Sequence, residues 1–312
     1  MEVITMGNST VSKSRGPDVY QIVTDKILEL LDKGTIPWHK PWKGGFEGIP
    51  KNAISKKPYR GVNVFLLAIT AEVMGYDSPY WFTYKQAQQY GGNVKAGEKS
   101  TFVVFWKWLD YVQTDKETGE KTTDKVPFLR YYRVFNLAQC EGVDLSKLPV
   151  DAIDDTPDLD FSPIGACENV FGNMADCPPI YHDQGRACYI PSKDEIHLPK
   201  RENFTSVEDY YATAFHELAH STGHDSRLGR HDKDRDLNFG SNTYSKEELI
   251  AEMGAAFLCG VCEIDNQIID NSAAYIDGWR KKIKGDKKLV VNAAAQAQKA
   301  VDYILNGKGG DE

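Results

Sequence analysis

Residues 205–224 read Thr-Ser-Val-Glu-Asp-Tyr-Tyr-Ala-Thr-Ala-Phe-His-Glu-Leu-Ala-His-Ser-Thr-Gly-His, and inside them His216-Glu217-Leu218-Ala219-His220 fits H-E-x-x-H. The pattern carries chemistry only on a helix, where residues four apart share one face, a turn apart. The flanks predict that helix. Ser206 can act as N-cap with Asp209 three residues on, as in a capping box. Phe215, Leu218, Ala219 and Thr222 recur at helical spacing, and no Gly or Pro intervenes before Gly223. On such a helix His216 and His220 offer two imidazole nitrogens to one zinc ion, with Mn2+ as the alternative, and Glu217 is placed to take a proton from an attacking water. Five-residue matches also arise by chance, and the two histidines are then a solvated helix face. A third ligand decides between these readings.

Asp225–Tyr244 is a polar, Gly/Asp/Arg-rich stretch, long enough to be a functional lid or a disordered loop. Ser245-Lys-Glu-Glu248 then opens a second helix with a capping box, followed by Leu249, Ile250, Met253, Ala256 and Phe257. Glu248 is the N3 residue, and the cap accounts for it. Glu252, one turn on, has no such duty and sits beside Ala251, Gly254 and Ala255, small residues that let two helices approach closely. Glu252 is therefore the expected third ligand, leaving an open position for water. His224 is the second choice, but Gly223 breaks the helix before it and the H-x-x-G-x-x-H spacing is not met. Tyr244 is the side chain nominated to stabilise an oxyanion. His197 is read as a strand residue.

A chain of 312 residues has room for two domains. No apolar run approaches the length of a membrane span, roughly 18 residues. Met1–Pro17 is polar and lacks an apolar h-region, so a disordered tail and a cytoplasmic location are expected. Six scattered cysteines do not make a disulfide scaffold. Cys259-Gly-Val-Cys262 has no second C-x-x-C to complete a zinc site, and the two are read as buried helix residues. The net charge of −8 hides an asymmetry. Residues 1–143 hold 19 Lys/Arg against 15 Asp/Glu and five of the six tryptophans, whereas residues 144–312 hold 18 against 30. A mildly basic, aromatic half followed by an acidic half points to different partners.

Within 18–143 the pattern predicts helices over Asp18–Lys33 and Val64–Met74, a short strand and helix from Trp81, and an antiparallel pair formed by Thr101–Trp108 and Pro127–Phe135 around a charged tip. Ile36-Pro-Trp38-His-Lys-Pro-Trp42-Lys43 contains two prolines and must be extended. Its two indoles either plug a core or form a stacking platform for unpaired bases. Asp144–Ile164 reads as a linker. Arg186–Pro191 and Asp194–Pro199 read as two short strands around a Ser-Lys turn, and in zinc peptidases a strand beside the metal helix can pair with an extended peptide substrate. Lys287–Leu305 reads as an Ala-rich amphipathic helix.

Several motifs resemble a known family. Pro37-Trp38…Pro41-Trp42, Tyr59-Arg60-Gly61-Val62-Asn63, Trp81…Thr83…Lys85-Gln86-Ala87, Gly91-Gly92-Asn93-Val94, Gly97-Glu98-Lys99 and Val134-Phe135-Asn136…Gln139 resemble the N-terminal domain of ArdC-type antirestriction proteins, which also occurs in TraC-type plasmid primases. His216–His224, Ser226-Arg227-Leu228…Arg230, Tyr244…Glu247-Glu248-Leu249…Ala251-Glu252 and Tyr275-Ile…Trp279 resemble the zincin-like domain that follows it in that family. The resemblance implies an α+β chain of two domains. The first, 18–143, would be an α+β binder of single-stranded DNA, and the second, 165–312, a mostly helical metallopeptidase domain with a small sheet. By analogy and side-chain chemistry, DNA contacts are expected at Trp38, Trp42, Lys43, Arg60, Trp81, Lys95 and Lys99. The rival readings are a SprT/Spartan-like protease acting on DNA-bound host proteins, and a DNA-binding protein whose metal is structural.

Overall fold

A computed structural model describes residues 18–38, 49–114, 121–144, 146, 163–230, 242–264 and 273–307, with side chains at 108–114, 121–127, 163 and 242–244 left out of the description. Helix α1 (Val19–Asp32) begins at Asp18, whose carboxylate accepts the Tyr20 and Gln21 amide protons, and it buries Val23, Ile27, Leu30 and Leu31 along one side. Strand β1 (Lys51–Asn52) and helix α2 (Val62–Met74) follow. α2 ends where Gly75 turns left-handed at φ 68°, a conformation that costs glycine little. Then come β2 (Tyr80–Phe82), α3 (Tyr84–Gln89), β3 (Asn93–Val94), the long hairpin β4 (Thr101–Thr114) and β5 (Lys121–Asn136), and β6 (Cys140–Glu141). α3 opens with a capping box between Thr83 and Gln86.

The second half contains α4 (Pro163–Asn173), the short strands β7 (Ile180–Tyr181), β8 (Cys188–Ile190) and β9 (Glu195–His197), and helices α5 (Val207–Ser221), α6 (Asn242–Val261), α7 (Ala273–Gly285) and α8 (Leu289–Asn306). The fold is α+β, as expected. The main sheet has the order β1-β2-β5-β4, and a three-stranded sheet has the order β7-β9-β8, which leaves β8 on its edge. β8 runs antiparallel to β9, with Tyr189 opposite Ile196.

The two halves share apolar packing. The largest core cluster takes Ile27, Trp38 and Phe65 from the first half together with Phe215, Phe257 and Ile304 from the second. Phe65 on α2 stacks on Phe257 on α6 with ring centroids 4.9 Å apart, an arrangement that adds to the area both rings bury. The segment Tyr59-Arg60-Gly61-Val62-Asn63 explains part of this union. Gly61 sits at φ 57° and its amide donates to Gln298 on α8 at 3.1 Å. Arg60 pairs with Asp302 on the same helix. Asn63 donates to the Val104 carbonyl and accepts from the Val104 amide, each at 2.7 Å, completing hydrogen bonds on the outer strand β4. Apart from Asp144, Ser146, Pro163 and Ile164, the expected linker lies outside the described residues.

Candidate metal centre

α5 carries the H-E-x-x-H residues as its capping and periodicity require. The Ser206 hydroxyl accepts the Asp209 amide proton at 3.1 Å, and Glu208 and Asp209 occupy the first turn, where acidic groups complement the helix dipole. Phe215, Leu218 and Ala219 are fully buried, which turns His216, Glu217 and His220 toward a cleft of about 480 Å³. Its walls include Cys188 and Tyr189 of β8, with Glu247 and Glu248 of α6 opposite.

Three ligand atoms converge there. His216 Nε2 and His220 Nε2 are 3.1 Å apart. Glu248 Oε1 is 3.3 Å from His216 Nε2, and Glu248 Oε2 is 3.8 Å from His220 Nε2. The donor atoms of His216, His220 and Glu248 all fall within 4.8 Å of one another. A tetrahedral ion with bonds of about 2.0–2.1 Å sets its ligand atoms roughly 3.3 Å apart, so the residues fit a divalent cation with two nitrogens and one carboxylate. Burial disfavours a charged His216, but the Glu248 carboxylate outweighs it and lifts the imidazole to about 9. The shift favours the protonated imidazole in the metal-free protein, so metal uptake has to displace a proton.

The third member of this cluster is Glu248, where the sequence suggests Glu252. The reason lies in the start of α6. The helix begins at Asn242, so Ser245 falls inside it instead of capping it, and Glu248 is not held at an N-terminus. Glu252 points one turn further along and is spent on a different task. Its Oε2 accepts the Trp38 indole N–H at 2.7 Å and the Tyr275 hydroxyl at 2.6 Å. Burial raises the Glu252 carboxyl to about 7 from 4.5, against the lowering effect of the Tyr275 bond. A carboxyl whose pKa is raised by folding stabilises the fold fully below its unfolded value, and that contribution is lost as pH rises through the folded one. In metal-free protein the stability difference between the parent and Glu252→Gln should therefore shift against the parent from about pH 4.5 to about pH 7. Chemical denaturation at a series of pH values measures it, and a constant difference would show that Glu252 does not titrate in the fold.

Small residues do bring the helices together. A methyl group on Gly254 of α6 would lie 3.0 Å from the Ala219 side chain of α5. Just beyond α5, Arg230 ties the two helices. It donates to the Ala219 carbonyl at 3.0 Å and to the Thr222 hydroxyl at 2.8 Å, and its Nη2 lies 2.9 Å from Glu247 Oε1. That carboxylate oxygen is also 3.7 Å from His220 Nδ1. Sequence reasoning assigned neither Arg230 nor Glu247 a part in the centre, although both fall within the motifs that carry the resemblance. His224 sits in the turn after α5 with its Nδ1 bonded to the Ser226 hydroxyl at 2.8 Å. His197 is a strand residue held by Asp183 at 2.7 Å. Cys259 and Cys262 are buried thiols. The Tyr244 side chain lies outside the described residues.

The expected DNA contacts divide. Trp38 and Trp81 are each 0 % exposed, so neither indole can stack on a base. Trp38 plugs the shared core, and Trp81 packs edge-on to Tyr76 at 6.1 Å. Arg60 is engaged by Asp302. Lys95 is exposed but donates to the Ala138 carbonyl at 2.8 Å. Lys99 is exposed beside Arg133 at the mouth of a groove. Trp42 and Lys43 lie outside the described residues.

Both halves of the chain match known families. Residues 17–135 match the N-terminal domain of anti-restriction factor ArdC, and residues 170–296 match a zincin-like metallopeptidase domain. The chain is thus a two-part protein in which an ArdC-type N-terminal domain precedes a zincin-like domain. It belongs to the ArdC antirestriction family. The crystal structure of the metal-free antirestriction ArdC protein from plasmid R388 is 37 % identical with a TM-score of 0.72, covering 93 % of this chain and 98 % of that one. The Mn(II)-bound structure of the same protein is 36 % identical, also with a TM-score of 0.72, and covers 95 % of this chain and 100 % of that one. An uncharacterised Sinorhizobium fredii protein, y4eC, is 32 % identical over 92 % of this chain and 91 % of its own length. The Escherichia coli DNA primase TraC is 37 % identical over 92 % of this chain, but the chain spans only 27 % of that protein's length. Among the described residues, no helix is long and apolar enough to cross a membrane.

Proposed function

We propose that this chain protects DNA of a mobile element from restriction by binding it in single-stranded form, and that it carries a divalent-metal peptidase centre at His216, His220 and Glu248. The observation that carries the peptidase reading is the convergence of these three ligand atoms within 4.8 Å in a cleft walled by an edge strand. Zinc suits two imidazoles and a carboxylate, and the Mn(II)-bound form of the R388 protein supports a divalent ion more generally. When bound, the ion supplies Lewis acidity that polarises a peptide carbonyl and makes water a better nucleophile. The remaining chemistry belongs to the chain. Glu217, 7 % exposed and lining the cleft, accepts the proton of the attacking water and returns it to the departing amine. The outer edge of β8 offers backbone N–H and C=O groups to an extended peptide. Arg230 and Glu247 fix the spacing of α5 and α6 and so the aim of His220 and Glu248.

The ligand set is tested by chelator competition. Glu248→Ala should lose roughly a hundredfold or more in affinity for Zn2+, beyond the range for a residue one step removed from the metal, while Glu252→Gln stays within about tenfold. Equal losses in the two variants would return Glu252 to the ligand set. Metal analysis of the purified protein, run beside gel shifts with unpaired and duplex oligonucleotides, tests both halves of the reading together.

A further inference from the structure

The distal part of the β4–β5 hairpin presents aromatic rings to solvent. Register places Phe105 opposite Arg130, Val103 opposite Tyr132 and Lys107 opposite Phe128, so Phe105, Phe128, Arg130 and Tyr132 share one face. On that face Phe105 is 39 %, Phe128 49 % and Tyr132 37 % exposed. Isolated exposed rings need no explanation, but these are grouped. Phe105 and Tyr132 lie 5.4 Å apart, and the Arg130 guanidinium covers the Phe128 ring at 5.3 Å. Nearer the sheet the same face is closed, because Val103 and Val134 are buried against Tyr59, Leu67 and Trp81.

Tyr132 also forms a wall of a separate cavity of about 380 Å³. Asn52, Lys57, Tyr59 and Gln86 contribute to its lining. Tyr59 is 8 % exposed, and its hydroxyl, which makes no well-formed hydrogen bond, lies within reach of the Asn52 and Tyr132 side chains. A ligand atom that gave this hydroxyl a well-formed hydrogen bond would be favoured. Gln86 commits its carbonyl to the Thr83 amide at 2.8 Å. Lys57 is exposed at the rim. None of the residues lining the cavity is acidic, nor is any residue of this face whose side chain is described; by register the nearest acid on the face is Asp124, two residue pairs beyond Lys107 and Phe128. Rings beside cations with no acid among them match an unpaired nucleotide strand, which has a π-face on every base and a charge on every phosphate. A small cavity with unmet hydrogen-bonding capacity next to the rings matches the edge of one base.

We propose that single-stranded DNA runs along this face, stacking on Phe105, Phe128 and Tyr132, with Arg130 and Lys57 on phosphates and one base set against Tyr59. This rests on the single-strand reading above and gives it a location. The site is distinct from the metal cleft and from the buried tryptophans. Alternate residues on a strand are roughly 6.7 Å apart, a spacing within reach of successive bases on an extended backbone.

The test is fluorescence anisotropy of the full chain with labelled oligothymidine, and with the other three homopolymers, over a salt series. Phe105→Ala and Phe128→Ala change exposed side chains and should each weaken binding roughly 5- to 150-fold without lowering the melting temperature. Arg130→Gln and Lys57→Gln should each flatten the log–log salt slope by roughly 0.7. Tyr59→Phe deletes only the hydroxyl and should alter the ranking of the four homopolymers while the protein melts no earlier. Parent protein that binds single strands, with every variant within twofold of it, would overturn the location and leave the single-strand reading standing. Parent protein that binds no single strand would overturn that reading itself.

Discussion

Replacing Glu217 by Gln should reduce hydrolysis of an unfolded protein substrate by roughly 10²–10⁴-fold, the range for loss of a positioned general base. Metal affinity should stay close to that of the parent. The amide has nearly the shape of the carboxylate and still lines the cleft, but it cannot accept the proton of the attacking water. His216, His220 and Glu248 are untouched, so the cluster that fits the ion is intact. The measurements are turnover in the metal-loaded protein and metal content after dialysis against a weak chelator. Parent-like turnover would remove Glu217 as the base. A variant that lost both metal and turnover would show instead that Glu217 holds the centre together. The same variant separates the two proposed activities. If shielding from restriction rests on single-strand binding, Glu217→Gln should protect transferred DNA as well as the parent does, and loss of protection would place catalysis in the protective step.

What the sequence reveals is what depends on near neighbours. α5 is legible because Ser206, Asp209 and the apolar periodicity lie within one helix. The ends of α1 and α2 are legible because Gly34 and Gly75 adopt positive φ, a conformation that marks a stop in any context. Glu248 and Glu252 show where local reasoning fails. The two are one turn apart on the same helix, and a Ser-x-x-Glu pattern suggests a cap that the fold does not use, because α6 starts three residues before Ser245. What separates their roles comes from distant chain: His216 and His220 for one, Trp38 and Tyr275 for the other. The tryptophans follow the same rule. Composition shows that the first half is rich in indoles, but burial of Trp38 is decided by a carboxylate 214 positions away. The rings of the hairpin read as ordinary strand residues. β2 pairs with β5 only at Asn136 and Phe135, so the hairpin runs beyond its neighbours and its outer rings stay exposed, which no alternation pattern encodes.

Trp38 gives the sharpest contrast between a nucleic-acid contact and a structural residue. It is fully buried, meets Trp279 edge-on with centroids 5.9 Å apart and donates to Glu252 at 2.7 Å. Trp38→Ala should cost about 3–5 kcal/mol of unfolding free energy, the range for emptying an aromatic site in a core. Trp38→Phe keeps most of the packing and removes only the indole donor, so its cost should be smaller, about 1–3 kcal/mol, from weakened satisfaction of a buried acidic group. Tyr275 still donates to the same oxygen in that variant, which keeps Glu252 from being stranded. Because Trp38 faces the helix that carries Glu248, its loss should also loosen metal binding. Affinity for single-stranded DNA should be unchanged in Trp38→Phe under conditions where the protein is folded. Urea unfolding followed by circular dichroism gives the first quantity, and oligonucleotide anisotropy in the absence of urea gives the second. A variant with parent-like stability and a tenfold loss of DNA affinity would reverse the assignment and place the Trp38 indole against a base. The structure predicts the opposite pattern, because an indole whose N–H is held by an acid in the shared core cannot also present its face to a strand passing outside.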